Sequence, residues 1–100
     1  MGLQCALYLK TETDERLVFD GGTSTCCKNL ADALKVNAYG EQDLYDLVND
    51  ELGCPDLKDI NWTKLADCIT SQLTNGKEEF DMIVSAVNSG AATLKYYSTH

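Results

Sequence analysis

The sequence predicts an α+β fold, because its hydrophobic period changes twice along the chain. Apolar residues alternate with polar ones over residues 3–10, which is the two-residue period of a half-buried strand. From about residue 23 they recur every three or four positions, as on one face of a helix. Near residue 91 the alternation returns. We therefore expect an N-terminal β-hairpin, about four helices, and a C-terminal strand that completes a small antiparallel sheet beside the first strand.

The first two strands are predicted to form the hairpin. A polar turn over residues 11–15 separates the first strand from a second one over residues 16–20, in which Leu17 and Phe19 are predicted to share a face. Gly21 and Gly22 then end the sheet segment. On the first strand, one face is predicted to carry Leu3, Cys5, Leu7 and Leu9.

Two helices are predicted to follow. Thr23 or Ser24 can cap the first, because either hydroxyl can accept a hydrogen bond from a free backbone N–H, and Gly40 is its predicted end. The second is predicted over residues 41–52, with Pro55 blocking its continuation. The apolar faces of these two helices are predicted to carry Cys26, Cys27, Leu30 and Leu34 in the first, and Leu44, Leu47, Val48 and Leu52 in the second.

Two more helices and the last strand complete the prediction. Asn61 can cap a third helix that Asn75 and Gly76 close, and a fourth covers residues 77–88 until Gly90. Residues 91–98 alternate in polarity but also contain good helix formers, so a short helix is an alternative to a strand there. We favour the strand, because a two-stranded hairpin without a third strand is only marginally stable. The apolar faces of the two helices are predicted to carry Trp62, Leu65, Ile69 and Leu73, and Phe80, Ile83, Val84 and Val87.

Residues 1–100 are predicted to form one globular domain. The chain is 44% hydrophobic and contains one proline, which is enough apolar material for a core and too much for a disordered acidic tail.

Charge is concentrated in one part of the chain, residues 41–59, which we call the acidic segment. It holds seven carboxylates and one lysine, so it carries a net charge of −6 out of −8 for the whole chain. A surface of this sign repels the phosphate backbone of nucleic acids and anionic membranes, and it attracts basic proteins. We therefore expect a basic protein partner, with neither direct nucleic-acid binding nor membrane association.

The acidic segment also supplies all but one of the predicted binding residues. Three aspartates are spaced i, i+3, i+7 and would form one stripe on the second predicted helix, opposite its leucines. Further carboxylates continue into the next loop, and two tyrosines lie close to the stripe. The alternative is a solvated face that only keeps the protein soluble. The predicted partner-binding residues are Tyr39, Asp43, Tyr45, Asp46, Asp50, Asp56 and Asp59.

Neither a metal nor another cofactor is expected. The acidic segment does not fit the calcium-loop pattern, and the five cysteines contain no C-x-x-C pair. Cys26 and Cys27 are adjacent on a predicted apolar face, which favours packing in the core, and Cys54 is the predicted exposed thiol. The odd cysteine count and the absence of a signal-peptide pattern at the N-terminus favour reduced thiols in the cytoplasm.

Catalysis is not expected either. The chain has one histidine, His100, at its very end, so no base is positioned to activate a cysteine or serine nucleophile. The carboxylates are numerous, but no pair of them is distinguished for acid–base work. We predict a protein that is not an enzyme.

In size, acidity and lack of catalytic motifs, the chain resembles small bacterial immunity proteins and phage-encoded inhibitors. This resemblance implies a non-enzymatic protein that masks the functional surface of a basic toxin or nucleic-acid enzyme. Within that group we favour an immunity protein, or antitoxin, against a nuclease-type toxin. The alternatives are a phage anti-defence protein that mimics DNA, and an adaptor or structural interaction module.

Overall fold

A computed structural model describes residues 4–35, 44–46 and 59–99. The described residues form an α+β structure, as predicted. A short 3₁₀ helix at Thr70–Gln72 follows the second α-helix. The strands and α-helices, in chain order, are β1 Gln4–Lys10, β2 Glu15–Gly21, α1 Ser24–Leu34, β3 Leu44–Asp46, α2 Trp62–Ile69, α3 Lys77–Ser89 and β4 Thr93–Thr99.

The strands of the described residues form one antiparallel sheet in the order β2-β1-β4-β3. The predicted hairpin is confirmed, because β1 pairs with β2. The predicted C-terminal strand is also confirmed: β4 lies beside β1, from Gln4 opposite Thr99 to Lys10 opposite Thr93. The sheet thus places β1 and β4, the first and last described strands, side by side at its centre.

A β-bulge changes which residues of β2 are buried. Leu7 lies opposite Phe19, but the next residue, Tyr8, lies opposite Leu17, so Val18 is the extra residue of the bulged strand. Val18 and Phe19 are each 4% exposed, whereas Leu17 is 49% exposed. The prediction that Leu17 and Phe19 share a face is therefore wrong, because the extra residue interrupts the alternation.

Helix α1 starts as predicted and ends earlier. Thr23 is the N-cap, and its Oγ1 accepts a hydrogen bond of 3.2 Å from the N–H of Cys26. The helix stops at Leu34, and Lys35 adopts the left-handed conformation with φ 62°. The carbonyl of Ala33, which a further helical turn would use, instead accepts the N–H of Asn61 at 2.9 Å. The prediction that this helix ends at Gly40 is wrong, because a distant segment takes over its hydrogen bonding.

The predicted second helix, over residues 41–52, is wrong where the structure describes it. Residues 44–46 form β3, which pairs with β4 at the edge of the sheet. The neighbouring residues 41–43 and 47–52 lie outside the described residues. The described part of the chain accordingly holds three α-helices rather than about four, and its sheet has one strand more than predicted. Pairing with β4 gives backbone N–H and C=O groups of residues 44–46 hydrogen-bond partners. The helical spacing of apolar residues gives no information about such a distant partner.

The last two α-helices follow the prediction more closely. Asn61 caps α2, since its Oδ1 accepts the N–H of Lys64 at 3.1 Å, although the α-helical part ends at Ile69 and gives way to the 3₁₀ helix. Gly90, with φ 84°, ends α3. Helices α2 and α3 meet through Trp62 and Phe80, whose rings lie edge to face with centroids 6.5 Å apart.

The core lies between the sheet and the helices. Apolar side chains of both layers form one buried cluster, as the alternation in the strands and the helical spacing predicted. Its largest fully buried members are Leu7, Leu30, Leu34, Leu65, Ile69, Ile83, Val87, Leu94 and Tyr96.

The cysteines divide between core and surface. Cys5 and Cys27 are buried, as predicted for the core, whereas Cys26 is exposed and its predicted core position is wrong. Neighbours on a helix point about 100° apart. Only Cys27 lies on the face of α1 that carries Leu30 and Leu34. Cys54 lies outside the described residues. None of the described helices has both the length and the apolar character needed to cross a membrane.

Candidate protein-binding surface

The sheet has two unlike faces. Along β1, buried Cys5 and Leu7 alternate with Ala6 and Tyr8, which are only partly buried. The described helices contribute their buried residues to the same cluster as Cys5 and Leu7, so they pack on that inner face. The opposite face, which we call the outer sheet face, is not covered by any described helix. Exposed apolar side chains such as Leu17 lie on this outer sheet face.

Strand register places the residues of the outer sheet face in rows. Residues directly opposite each other on neighbouring strands share a face, with Cβ atoms about 5 Å apart. A row can therefore be followed across all four strands from the pairing. One row is Leu17, Tyr8, Lys95 and Asp46, and the next is Asp20, Ala6, Tyr97 and Leu44. Both rows end at a register position of the acidic segment, the first at Asp46 and the second at Leu44.

Three of the predicted binding residues can be placed. Asp46 lies at the register position opposite Lys95, and Tyr45 lies opposite Tyr96, a residue of the inner face. Asp59 is exposed just before α2. The predicted helical stripe is wrong at Asp46, because this residue belongs to a strand. The other predicted binding residues, Tyr39, Asp43, Asp50 and Asp56, lie outside the described residues.

The outer sheet face adds binding candidates that the acidic stripe did not include. Tyr97 is 38% exposed and Tyr8 is half-buried, so both present aromatic surface on the side away from the helices. The alternation of their strands already indicated these outward positions. Leu17 had no such signal, since the bulge that turns it outward depends on pairing with β1.

The two edges of the sheet differ in how their backbone is satisfied. At the β2 edge, the side-chain amide of Gln72 binds Asp20 twice: its Oε1 accepts the N–H of Asp20 and its Nε2 donates to the carbonyl, both at 2.9 Å. The amide thus takes the place of another strand at that point, which discourages pairing with a further chain. At the opposite edge lies β3, which belongs to the acidic segment. The two edges therefore differ in charge, and the Gln72 amide blocks further pairing only at the β2 edge.

Within the described ranges, no three histidine, cysteine, aspartate or glutamate side chains are grouped so that they could hold a metal ion. A search of protein families, of curated proteins and of solved structures found no match to this chain.

Proposed function

We propose that this protein is a small, acidic, non-enzymatic inhibitor that binds a basic protein through its acidic segment and the adjoining outer sheet face. In its most specific form, the proposal is a cytoplasmic immunity protein that neutralises a cognate nuclease-type toxin. One observation carries it: the strand register sets Asp46, from a segment of net charge −6, in one row with Lys95, Tyr8 and the exposed Leu17.

This combination of groups suits the recognition of a basic protein surface. Tyrosines such as Tyr8 and Tyr97 contribute a large contact area at low cost in conformational entropy, and aromatic residues are enriched at binding hot spots. The carboxylates of the acidic segment would steer a cationic partner and speed its association. A nuclease holds phosphate groups with lysine and arginine, so its active site is complementary to an acidic surface of this kind.

The gene beside the coding sequence supplies the partner for the test. A toxin gene there supports the immunity role, and its product, inactivated at the active site, should bind this protein in a purified mixture. A phage early operon would instead support an anti-defence inhibitor. If this protein neither binds the product of a neighbouring toxin gene nor protects cells that express it, the remaining interpretation is an adaptor or structural module.

Charge reversals then locate the contact. Asp46→Lys and Asp59→Lys should each slow association about fivefold at low ionic strength, because steering depends on local charge. They should also flatten the dependence of the association rate on salt. The matched control is Glu12→Lys, which changes the charge equally at an exposed position in the hairpin turn. If the Asp46 and Asp59 variants associate as fast as the unmodified protein, the acidic segment acts only in solubility.

Alanine variants test the contribution of the outer sheet face separately. Tyr97→Ala should speed dissociation and weaken binding by about 2 kcal/mol if this tyrosine lies near the centre of the interface. Met82→Ala is the control, since Met82 is 71% exposed but lies on α3, on the helical side of the molecule. An unchanged dissociation rate for Tyr97→Ala, measured in the same stopped-flow series, would remove the sheet from the interface.

A further inference from the structure

A cavity of about 360 Å³ opens between α1 and α2, away from the outer sheet face. Its volume falls within the range of small-molecule sites, roughly 300–1,000 Å³. The lining combines an aromatic ring with polar and sulfur-containing groups. The lining residues are Phe19, Cys26, Asn29, Lys64, Asp67 and Cys68.

The two thiols in this cavity differ from the other described cysteines in their access to solvent. Cys26 is exposed and Cys68 is half-buried, whereas Cys5 and Cys27 are buried. Burial raises the pKa of Cys68, and this rise outweighs the opposing effect of the Lys64 ammonium. Cys26 is the accessible nucleophile of the cavity because it is exposed, whereas burial holds back the reactive thiolate form of Cys68.

The charged groups of the lining indicate which ligand would fit. Lys64 and Asp67 lie three residues apart on α2, so they are neighbours on its surface, and both line the cavity. The Lys64 ammonium binds the carboxylate of Asp32. An ammonium group has three donors, so it can hold a second carboxylate as well. A cation beside an anion is complementary to the ammonium and carboxylate of an α-amino acid group.

We propose that this cavity is a modification site in which Cys26 forms a mixed disulfide with a small thiol that carries an α-amino acid group, the class of cysteine and glutathione. The reaction is thiol–disulfide exchange. The Cys26 thiolate attacks one sulfur of the low-molecular-weight disulfide and forms the new S–S bond. The original S–S bond breaks, and the released half leaves as a thiolate that takes up the proton lost by Cys26. The incoming disulfide is the oxidant.

Intact-mass spectrometry tests whether Cys26 is the cysteine that is modified. The protein carrying Cys54→Ser, which removes the cysteine outside the described residues, is incubated with glutathione disulfide and its intact mass is followed. One adduct is expected. Cys26→Ser should abolish it, whereas Cys27→Ala, the change at the adjacent buried thiol, should leave it. An adduct that persists in Cys26→Ser would overturn the proposal.

The role of the charged lining is tested by a second disulfide. Lys64→Ala should slow the reaction with glutathione disulfide about threefold, the size expected for one partly exposed ion pair, and should leave the reaction with uncharged hydroxyethyl disulfide unchanged. Equal slowing with both reagents would show that the lysine acts on the thiol and not on the ligand, which contradicts the assignment. Neither result depends on a protein partner, so this inference stands or falls separately from the proposed inhibitor function.

Discussion

The two faces of the sheet use adjacent residues of the same strands for opposite purposes. Tyr96 is 0% exposed and Tyr97 is 38% exposed, although both are tyrosines in the middle of β4. The inner face meets the helices and forms the core, while the outer sheet face meets no described helix and borders the acidic segment. The contrast teaches that the same kind of side chain is part of the core on one face and stays accessible to solvent on the other.

The largest expected effect separates these two tyrosines. Tyr96→Ala removes a fully buried aromatic side chain and should destabilise the protein by about 3–5 kcal/mol, because it loses apolar burial and leaves a cavity. Tyr97→Ala, one residue later, should change the free energy of unfolding by less than about 1 kcal/mol. Urea denaturation of both variants measures the difference. Equal losses would mean that the outer sheet face is also packed against part of the chain.

A smaller effect is expected at Gly21, which lies close to buried side chains of the inner face. A Cβ on Gly21 would lie 2.6 Å from the Sγ of Cys5 and 3.1 Å from the ring of Phe19, so Gly21→Ala should destabilise by about 1–3 kcal/mol. Gly22→Ala is the matched control, since a Cβ there meets nothing within 4 Å. Thermal unfolding compares the two, and adding Cys5→Ala to Gly21→Ala should recover part of the loss. A control variant as unstable as Gly21→Ala would contradict the steric explanation.

The smallest effect concerns the outer sheet face. Asp46 and Lys95 are directly opposite in the register, and a cross-strand pair of opposite charges contributes roughly 0.2–1 kcal/mol. Lys95→Glu should therefore destabilise slightly, and the double variant with Asp46→Lys should restore stability. A double-mutant cycle in low salt gives the coupling energy. A coupling of zero would indicate that the register of β3 contributes nothing through these side chains.

The predictable part of the fold consists of features carried by residues close together in sequence. Thr23 and Asn61 cap their helices because a cap needs only a hydroxyl or amide a few residues before the N–H it accepts. Gly90 ends α3 because it adopts a positive φ without strain. The alternating strands and the buried helical faces follow the same local periodicity.

The charge of the candidate binding surface was more predictable than its geometry. The acidic segment and the outward positions of Tyr8 and Tyr97 follow directly from counting charges and alternation. The helical stripe was wrong at Asp46, because this residue and the two before it pair with β4 instead. Leu17 is part of the outer sheet face only because of the bulge in β2, which depends on the pairing with β1.

The sequence by itself determined the α+β class, the caps, the inner apolar faces and the local concentration of negative charge, since each depends on neighbours within a few residues. Only the tertiary structure decided the end of α1, the strand β3, the bulge that exposes Leu17 and the division between Cys26 and Cys27. In these places the outcome depends on partners far along the chain. The N–H of Asn61 occupies a carbonyl at the end of α1, and the edge of β4 accepts residues 44–46. The local spacing of apolar residues does not predict such partners, because a backbone N–H or C=O group can bond equally well to a residue that is distant in sequence.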